Sequence, residues 1–177
     1  MTRIDPVTFS VIWGGLLSAA AEMGVTLSRT AYSNAVREGL DYSTALFDVD
    51  GNMVAQGDYS PGHLGSMAFS IRRVFEDYPR ETIAAGDAIL LNDPGIGSGH
   101  LPDFFMISPI YQGRELLGFA ACCAHHVDVG GAGAGSQVIQ GVLDNYQEGV
   151  RFLPTRCYAG GEPIEHIFSL VAANVRQ

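Results

Sequence analysis

Three of the chain's five histidines, His100, His125 and His126, lie between Leu91 and Gly135, together with Asp93, Asp103 and Asp128. The doublets His100-x-x-Asp103 and His125-His126-x-Asp128 flank two apolar, β-prone runs, 104–111 and 115–124, that meet at Gln112-Gly113. Apolar runs broken by a short Gly-containing turn read as a β-hairpin, which brings its two far ends together. Imidazoles meeting a carboxylate at a strand end form a fitting ligand set for a divalent cation. Nitrogen and oxygen donors of this kind suit Mn, Fe or Zn better than Ca or Mg. With an open coordination position, such an ion polarises a carbonyl or binds an activated water. Two other readings stand beside it. Cys123 next to His125 offers a thiol–imidazole pair, and histidines can be satisfied inside a β core with no chemistry at all. Strand alternation allows one of the two adjacent histidines to face inward: His125 together with Cys123, or His126 together with Asp128. The sequence leaves that choice open.

Other candidates lie upstream. The stretch Arg29–Ser43 is polar and brings Arg37, Glu38 and Asp41 close in sequence. Asp41 stands just before a second hairpin, 44–49 and 52–55 about Asp50-Gly51, where a side chain at a sheet edge can enter a site. Turn or cap duty is the commoner use of such a carboxylate. His63 falls at the N-terminus of a helix expected over 64–78, whose positive dipole end disfavours an imidazolium. The Gly-rich loops at 95–100 and 130–135 lack the lysine and the spacing of a phosphate loop.

The elements that must position these groups follow from periodicity. Asp5-Pro6 is an N-cap followed by a first-turn proline. Phe9, Ile12, Leu16, Ala19, Ala20 and Met23 then recur at helical spacing, predicting a core helix to about Ser28. A buried strand is expected at 87–92, a short helix at 137–146, strand at 150–158 interrupted by Pro154, and a helix at 163–175. The expectation is a single α+β domain: an N-terminal helix, a mixed or antiparallel sheet built from hairpins, and flanking helices.

Composition bounds the function. With 47% hydrophobic and 16% charged residues the chain is not disordered, and part of its apolar surface suits a partner or further chain. A net charge of -9 disfavours nucleic acid. All ten basic residues are arginine, which removes a Schiff-base lysine and a P-loop lysine, so any ATP would be held largely by another polypeptide. No run approaches about 20 uninterrupted apolar residues, so no membrane span is expected. The N-terminus lacks a secretory pattern, and three cysteines, two of them adjacent, fit a reducing cytoplasm.

Five ordered blocks carry a family resemblance: residues 4–33, REGLDYSTALFDVDGNMVAQ, PGHLGSM, NDPGIGSGHLPDFFMISPIY and AHHVDVGG. Together they resemble the hydantoinase B/oxoprolinase family, which includes the B-type subunits of ATP-dependent N-methylhydantoinase and related lactamases, the corresponding region of 5-oxoprolinase, and the metal subunit of acetone carboxylase. The resemblance implies a divalent metal held by the H-x-x-D pair His100 and Asp103 and by His125, with Asp41 as a further ligand. It implies an A-type partner that uses ATP to open a cyclic amide, or to carboxylate a ketone. In that setting His126 and Asp128 orient the ligand shell, and Glu38 or His63 handles protons. The chain matches the N-terminal portion of a B-type subunit, so the remaining C-terminal portion is an expected partner. Gly39 follows Glu38 where the family usually has a basic residue.

Overall fold

The computed structural model describes residues 4–97, 99–136 and 140–176. Its strands are β1 (Tyr42–Phe47), β2 (Met53–Gln56), β3 (Ala88–Leu91), β4 (Asp103–Gln112), β5 (Glu115–His125), β6 (Thr155–Ala159) and β7 (Glu162–Pro163). Among the described residues they form one seven-stranded sheet, ordered β2-β1-β5-β4-β3-β6-β7. Every pairing is antiparallel. Helices α1 (Pro6–Thr30), α2 (Asn34–Arg37), α3 (Pro61–Asp77) and α4 (Glu165–Asn174) flank it. The fold class is α+β, with the antiparallel option realised. The short α2 had no signal in the polar stretch that contains it.

The β4–β5 hairpin dominates the sheet. Gln112 pairs with Glu115 across a two-residue loop whose first member, Gly113, has φ +60°. A glycine in that position matches the turn to the twist of the two strands. On one face of the sheet Phe47, Ile89, Leu91, Phe105, Ile107, Phe119, Ala121 and Cys123 pack against Met67, Ile71 and Val74 of α3. Phe105 and Phe119 are fully buried there, each worth about 1.5–3 kcal/mol. On the other face Leu46 and Ala55 meet Ala20 of α1, and Leu90 and Phe104 meet Phe152, Cys157 and the inner side of α4. Period-two alternation therefore commits residue 125 to the α3 face and residue 126 to the opposite one.

The sequence predicts α1 as a core helix; the structure corrects this. Its cap is as expected, with Asp5 accepting from the amides of Val7 and Thr8. Only Ala20 and Gly24 are buried, however. Leu16, Ala20, Met23, Gly24 and Leu27 make the contact stripe, while Val7, Phe9, Val11, Ile12 and Trp13 are exposed. The C-terminal half is tied down where Thr44 Oγ1 donates to Ala20 O (2.7 Å) and Tyr59 OH to Ala21 O (2.9 Å). Gly24 permits that approach, since a Cβ there would lie 2.2 Å from the Tyr59 ring. By length and composition α1 is also apolar enough to cross a membrane. The expectation that no segment would pass rested on uninterrupted runs, and Gly14-Gly15, Ser10 and Ser18 interrupt a run without interrupting a helix.

Elsewhere the differences are local. Helix α3 begins at Pro61, a residue suited to the first helical position, which puts His63 in its first turn. Strand β6 starts only after Pro154, which has no amide proton for a ladder. Of the short helix expected at 137–146, residues 137–139 lie outside the described residues, and Asn145–Gln147 form a 3-10 turn capped by Asp144. Asn92, fully buried, ties this region together. Its Nδ2 donates to Leu101 O (2.7 Å) and Val150 O (2.9 Å), and its Oδ1 accepts from Phe152 N (2.6 Å). Replacing Asn92 by Ala strands the buried Leu101 carbonyl and Phe152 amide and the half-buried Val150 carbonyl, each buried group costing about 1–3 kcal/mol when unpaired. The expected loss is about 3 kcal/mol or more, read as a lowered denaturation midpoint.

Candidate metal centre

Three neighbouring strands deliver the central groups side by side. Asp103 opposes His125 in the β4–β5 register. Tyr42 opposes Ala124, and the His125 amide donates to Asp41 O at 3.1 Å, so Asp41 flanks His125 on the other side. All three side chains fall on the α3 face by strand alternation, where the first turn of α3 brings in His63. His100 arrives from the loop before β4. The loop is held at the next residue, where the Leu101 amide donates to Glu148 Oε2 (2.8 Å) and its carbonyl accepts from Asn92.

Asp103 is the hub, with only 3% of its surface exposed. Its Oδ1 lies 2.9 Å from His100 Nε2 and 3.1 Å from His125 Nδ1, and its Oδ2 lies 3.1 Å from His63 Nε2. Asp41 completes a ring: Oδ1 is 3.6 Å from His63 Nε2 and Oδ2 is 3.7 Å from His125 Nδ1. Two ring nitrogens can share one carboxylate oxygen either by each donating an N–H to it or, as lone-pair donors, by binding one cation together with it. The donor atoms of His100, Asp103 and His125 lie within 4.8 Å of one another. Ligands about 2.1 Å from a metal are themselves about 3.0–3.4 Å apart, so two of these spacings already suit a first coordination shell. Two carboxylates would also neutralise a divalent charge.

Burial pushes Asp103 upward, but the hydrogen bonds from His100, His125 and His63 outweigh it and hold the carboxyl well below the usual carboxylate range. The hydrogen bond to Asp103 raises His100 above its ordinary value against opposing desolvation. Cys123 lies on the same face near His63 and Asp103. Burial first, then the negative charges of Asp103 and Asp41, push its thiol well above the ordinary range. It is therefore a protonated core thiol, and the thiol–imidazole reading has no thiolate to work with.

Of the residues the sequence singled out, the structure brings together Asp41, His63, His100, Asp103 and His125. It does not bring Glu38, His126 or Asp128 to them. Glu38 is exposed at the C-cap of α2. His126 is turned to the other face, its ring 4.7 Å from that of Phe104. Asp128 binds Arg176 Nη1 (2.8 Å) and the Gly130 amide (2.9 Å). His126 and Asp128 line a separate cavity of about 460 Å³ with Tyr32, Asn34 and Arg176. Proximity of His63 to Asp103 had no signal in local spacing, because 40 residues separate them.

Comparison with known proteins places this arrangement in a family. The profile of the family described as hydantoinase B/oxoprolinase matches residues 5–177. The B component of a putative D-/L-hydantoinase from Pseudomonas sp. strain NS671 is 34% identical over 99% of this chain and 30% of its own length. The crystal structure of the ATP-dependent caprolactamase from Pseudomonas jessenii superposes with a TM-score of 0.82 at 32% identity, over 99% of this chain and 30% of that one. An acetone carboxylase structure shares the fold, with a TM-score of 0.87 at 21% identity over 98% of this chain and 23% of that one. The chain thus spans about a third of the length of the first curated relatives it matches.

The geometry has a pH signature without metal. The depressed Asp103 contributes stability that is present above its unfolded pKa of about 3.9 and lost as pH falls through the folded value. The raised His100 contributes stability that is present below about 6.5 and lost as pH rises through its folded value. Metal binding requires deprotonated imidazoles and runs the other way. The melting-temperature gap between the metal-free chain and a His100→Ala variant should shrink from about pH 6 to about pH 8 while the chain's affinity for added Mn or Zn rises. The matched residues and the shared fold lead to one conclusion: the chain belongs to the hydantoinase B/oxoprolinase family.

Proposed function

We propose that the chain is the metal-bearing part of a B-type subunit in an ATP-dependent enzyme that opens a cyclic amide of hydantoin, oxoproline or lactam type. The observation that carries this reading is the buried Asp103 carboxylate shared by His100 and His125, with Asp41 alongside. His100, Asp103, His125 and Asp41 would hold a divalent Mn, Fe or Zn ion. Bound there, the ion supplies Lewis acidity toward a carbonyl and lowers the pKa of water.

The protein's own contributions follow from its contacts. Asp103 and Asp41 supply the negative charge that retains a cation. His63 keeps the second oxygen of Asp103 fixed, which orients the first toward His100 and His125. That is a positioning role, in place of the proton transfer expected of it. Its Nδ1 lies 3.5 Å from Ser43 Oγ, so the ring is set from both nitrogens. Asp128 and Arg176 brace the turn that follows His125. Glu38 stays outside the hydrogen-bonded groups and enters no step.

The absence of lysine and of a phosphate loop supports ATP binding mainly by an A-type partner subunit. The exposed apolar half of α1 supports burial against further polypeptide, whether that partner or the remaining portion of a B-type subunit. A lipid-spanning α1 would have to break its hydrogen bonds with Thr44 and Tyr59, so the protein-facing reading is favoured. The free cysteines fit a cytoplasmic location.

Metal content of the assembly, wild type against variants, is the direct test. His100→Ala should lose the bound metal and the ATP-coupled ring opening together, and His63→Ala should weaken metal affinity about 10–100-fold. His126→Ala should leave metal content unchanged. Unchanged metal in His100→Ala would remove the centre from this site. ATP turnover that requires bicarbonate and a ketone would replace hydrolysis by carboxylation, and a metal-free assembly would make the chain a scaffold.

A further inference from the structure

Two segments beside the cluster lie outside the sheet ladder: the loop that carries His100 into β4, and the turn that leaves β5 after His125. The two imidazole rings stand 5.1 Å apart, centroid to centroid. A third stretch, residues 144–152, is bonded to both segments. A capping box stiffens its start: the Asp144 carboxylate accepts from the Gln147 amide, and the Gln147 side chain accepts from the Asp144 amide.

On the His100 side the grip falls at both ends of the loop. Arg151 pairs with Asp93 where the loop begins, and Glu148 Oε2 accepts from the Leu101 amide (2.8 Å) where it ends. The Val150 carbonyl accepts from Asn92 Nδ2 (2.9 Å) just ahead of it. On the His125 side the Ala132 amide donates to Gln147 O (2.7 Å), and the Val150 amide donates to Val129 O (2.7 Å). Gly131, at φ +69°, lets the two backbones touch, since a Cβ there would lie 2.4 Å from the Glu148 carbonyl carbon. Glu148 therefore meets one segment with its backbone and holds the other with its side chain. Its hydrogen bond falls on the peptide that follows His100, and an ionised acceptor makes that bond one of the stronger kind.

We propose that residues 144–152 form a strap that sets His100 against the end of β5, and that Glu148 is a positioning residue for the metal centre. The inference rests on the metal-centre reading above. Glu148 acts through His100 and is not itself a ligand. A ligand has to be held within about 0.5 Å and 10–20° of its working geometry, by neighbours that are themselves fixed. The sheet register does this for Asp103 and His125, whereas His100 precedes β4 and depends on the bond at Leu101. What the Leu101 amide needs is an acceptor oxygen at that point, and a neutral side-chain amide also supplies one.

The test compares Glu148→Ala, Glu148→Gln and Asp87→Ala in the full chain. Glu148→Gln keeps an oxygen for the Leu101 amide and removes the charge. Asp87→Ala uncaps the Ala84 and Gly160 amides at the far end of β3, so it destabilises the fold without touching the strap. The readouts are Mn affinity by titration and, in the metal-free chain, hydrogen exchange at the Leu101 amide by NMR. Glu148→Ala should speed that exchange and weaken Mn binding about 10–100-fold. Glu148→Gln should recover most of both losses, and Asp87→Ala should lower the melting temperature with Mn affinity unchanged. Wild-type Mn affinity in Glu148→Ala overturns the positioning role and leaves the metal centre standing. So does an equal loss in Glu148→Gln, which would make the effect one of charge, or in Asp87→Ala, which would make it one of stability. A wild-type chain that binds no Mn overturns the metal centre and the positioning role with it.

Discussion

A carboxylate taken almost wholly out of water has to be compensated, and Asp103 is compensated by three imidazoles at once. Desolvating such an anion costs several kcal/mol in a protein interior, and geometry decides whether its partners return that cost. Here the partners come from three separate places: the end of β5, the loop before β4, and the first turn of α3. Each element is fixed by packing that has nothing to do with charge. The β4–β5 register sets Asp103 opposite His125, Met67, Ile71 and Val74 seat α3, and the Leu101–Asn92–Glu148 contacts stop the loop at His100. The apolar core thus supplies the rigidity that a polar hub of this kind requires.

Much of this was readable in the residues. Two apolar runs around Gln112-Gly113 gave a hairpin, and a hairpin of that length necessarily joins the H-x-x-D doublet to the second histidine pair. Asp5-Pro6 and Asp50-Gly51 marked their boundaries by local backbone chemistry. What stayed illegible depended on tertiary choice. Alternation made His125 and His126 mutually exclusive, but only the packing of α3 says which face is the site. His63 looked like an ordinary first-turn histidine because nothing local announces a contact with Asp103. Apolar periodicity in α1 was real, yet it cannot tell a helix buried by its own chain from one that presents its apolar surface outward.

That last ambiguity bears on how function is distributed. The sheet buries one stripe of α1 and leaves Val7, Phe9, Ile12 and Trp13 exposed. Exposed apolar surface on this scale belongs to an interface more often than to a free monomer. The chain also covers only about 30% of the hydantoinase and caprolactamase subunits it resembles. Both observations concern a module whose metal-type ligand cluster is internal and whose apolar helix face is left uncovered by its own sheet. Ligand geometry here is internal to 177 residues, and the chain lacks lysine altogether.

Such a division makes chemical sense. Ring opening with ATP needs two operations with conflicting demands: phosphate transfer wants a strongly basic, mobile cradle, and carbonyl activation wants a rigid, desolvated set of donors. Placing both on one surface would set arginines or lysines against Asp41 and Asp103 and compete with the cation proposed to bind there. In the proposed division the basic machinery sits on another polypeptide and this site stays acidic, in line with a net charge of -9 across the chain.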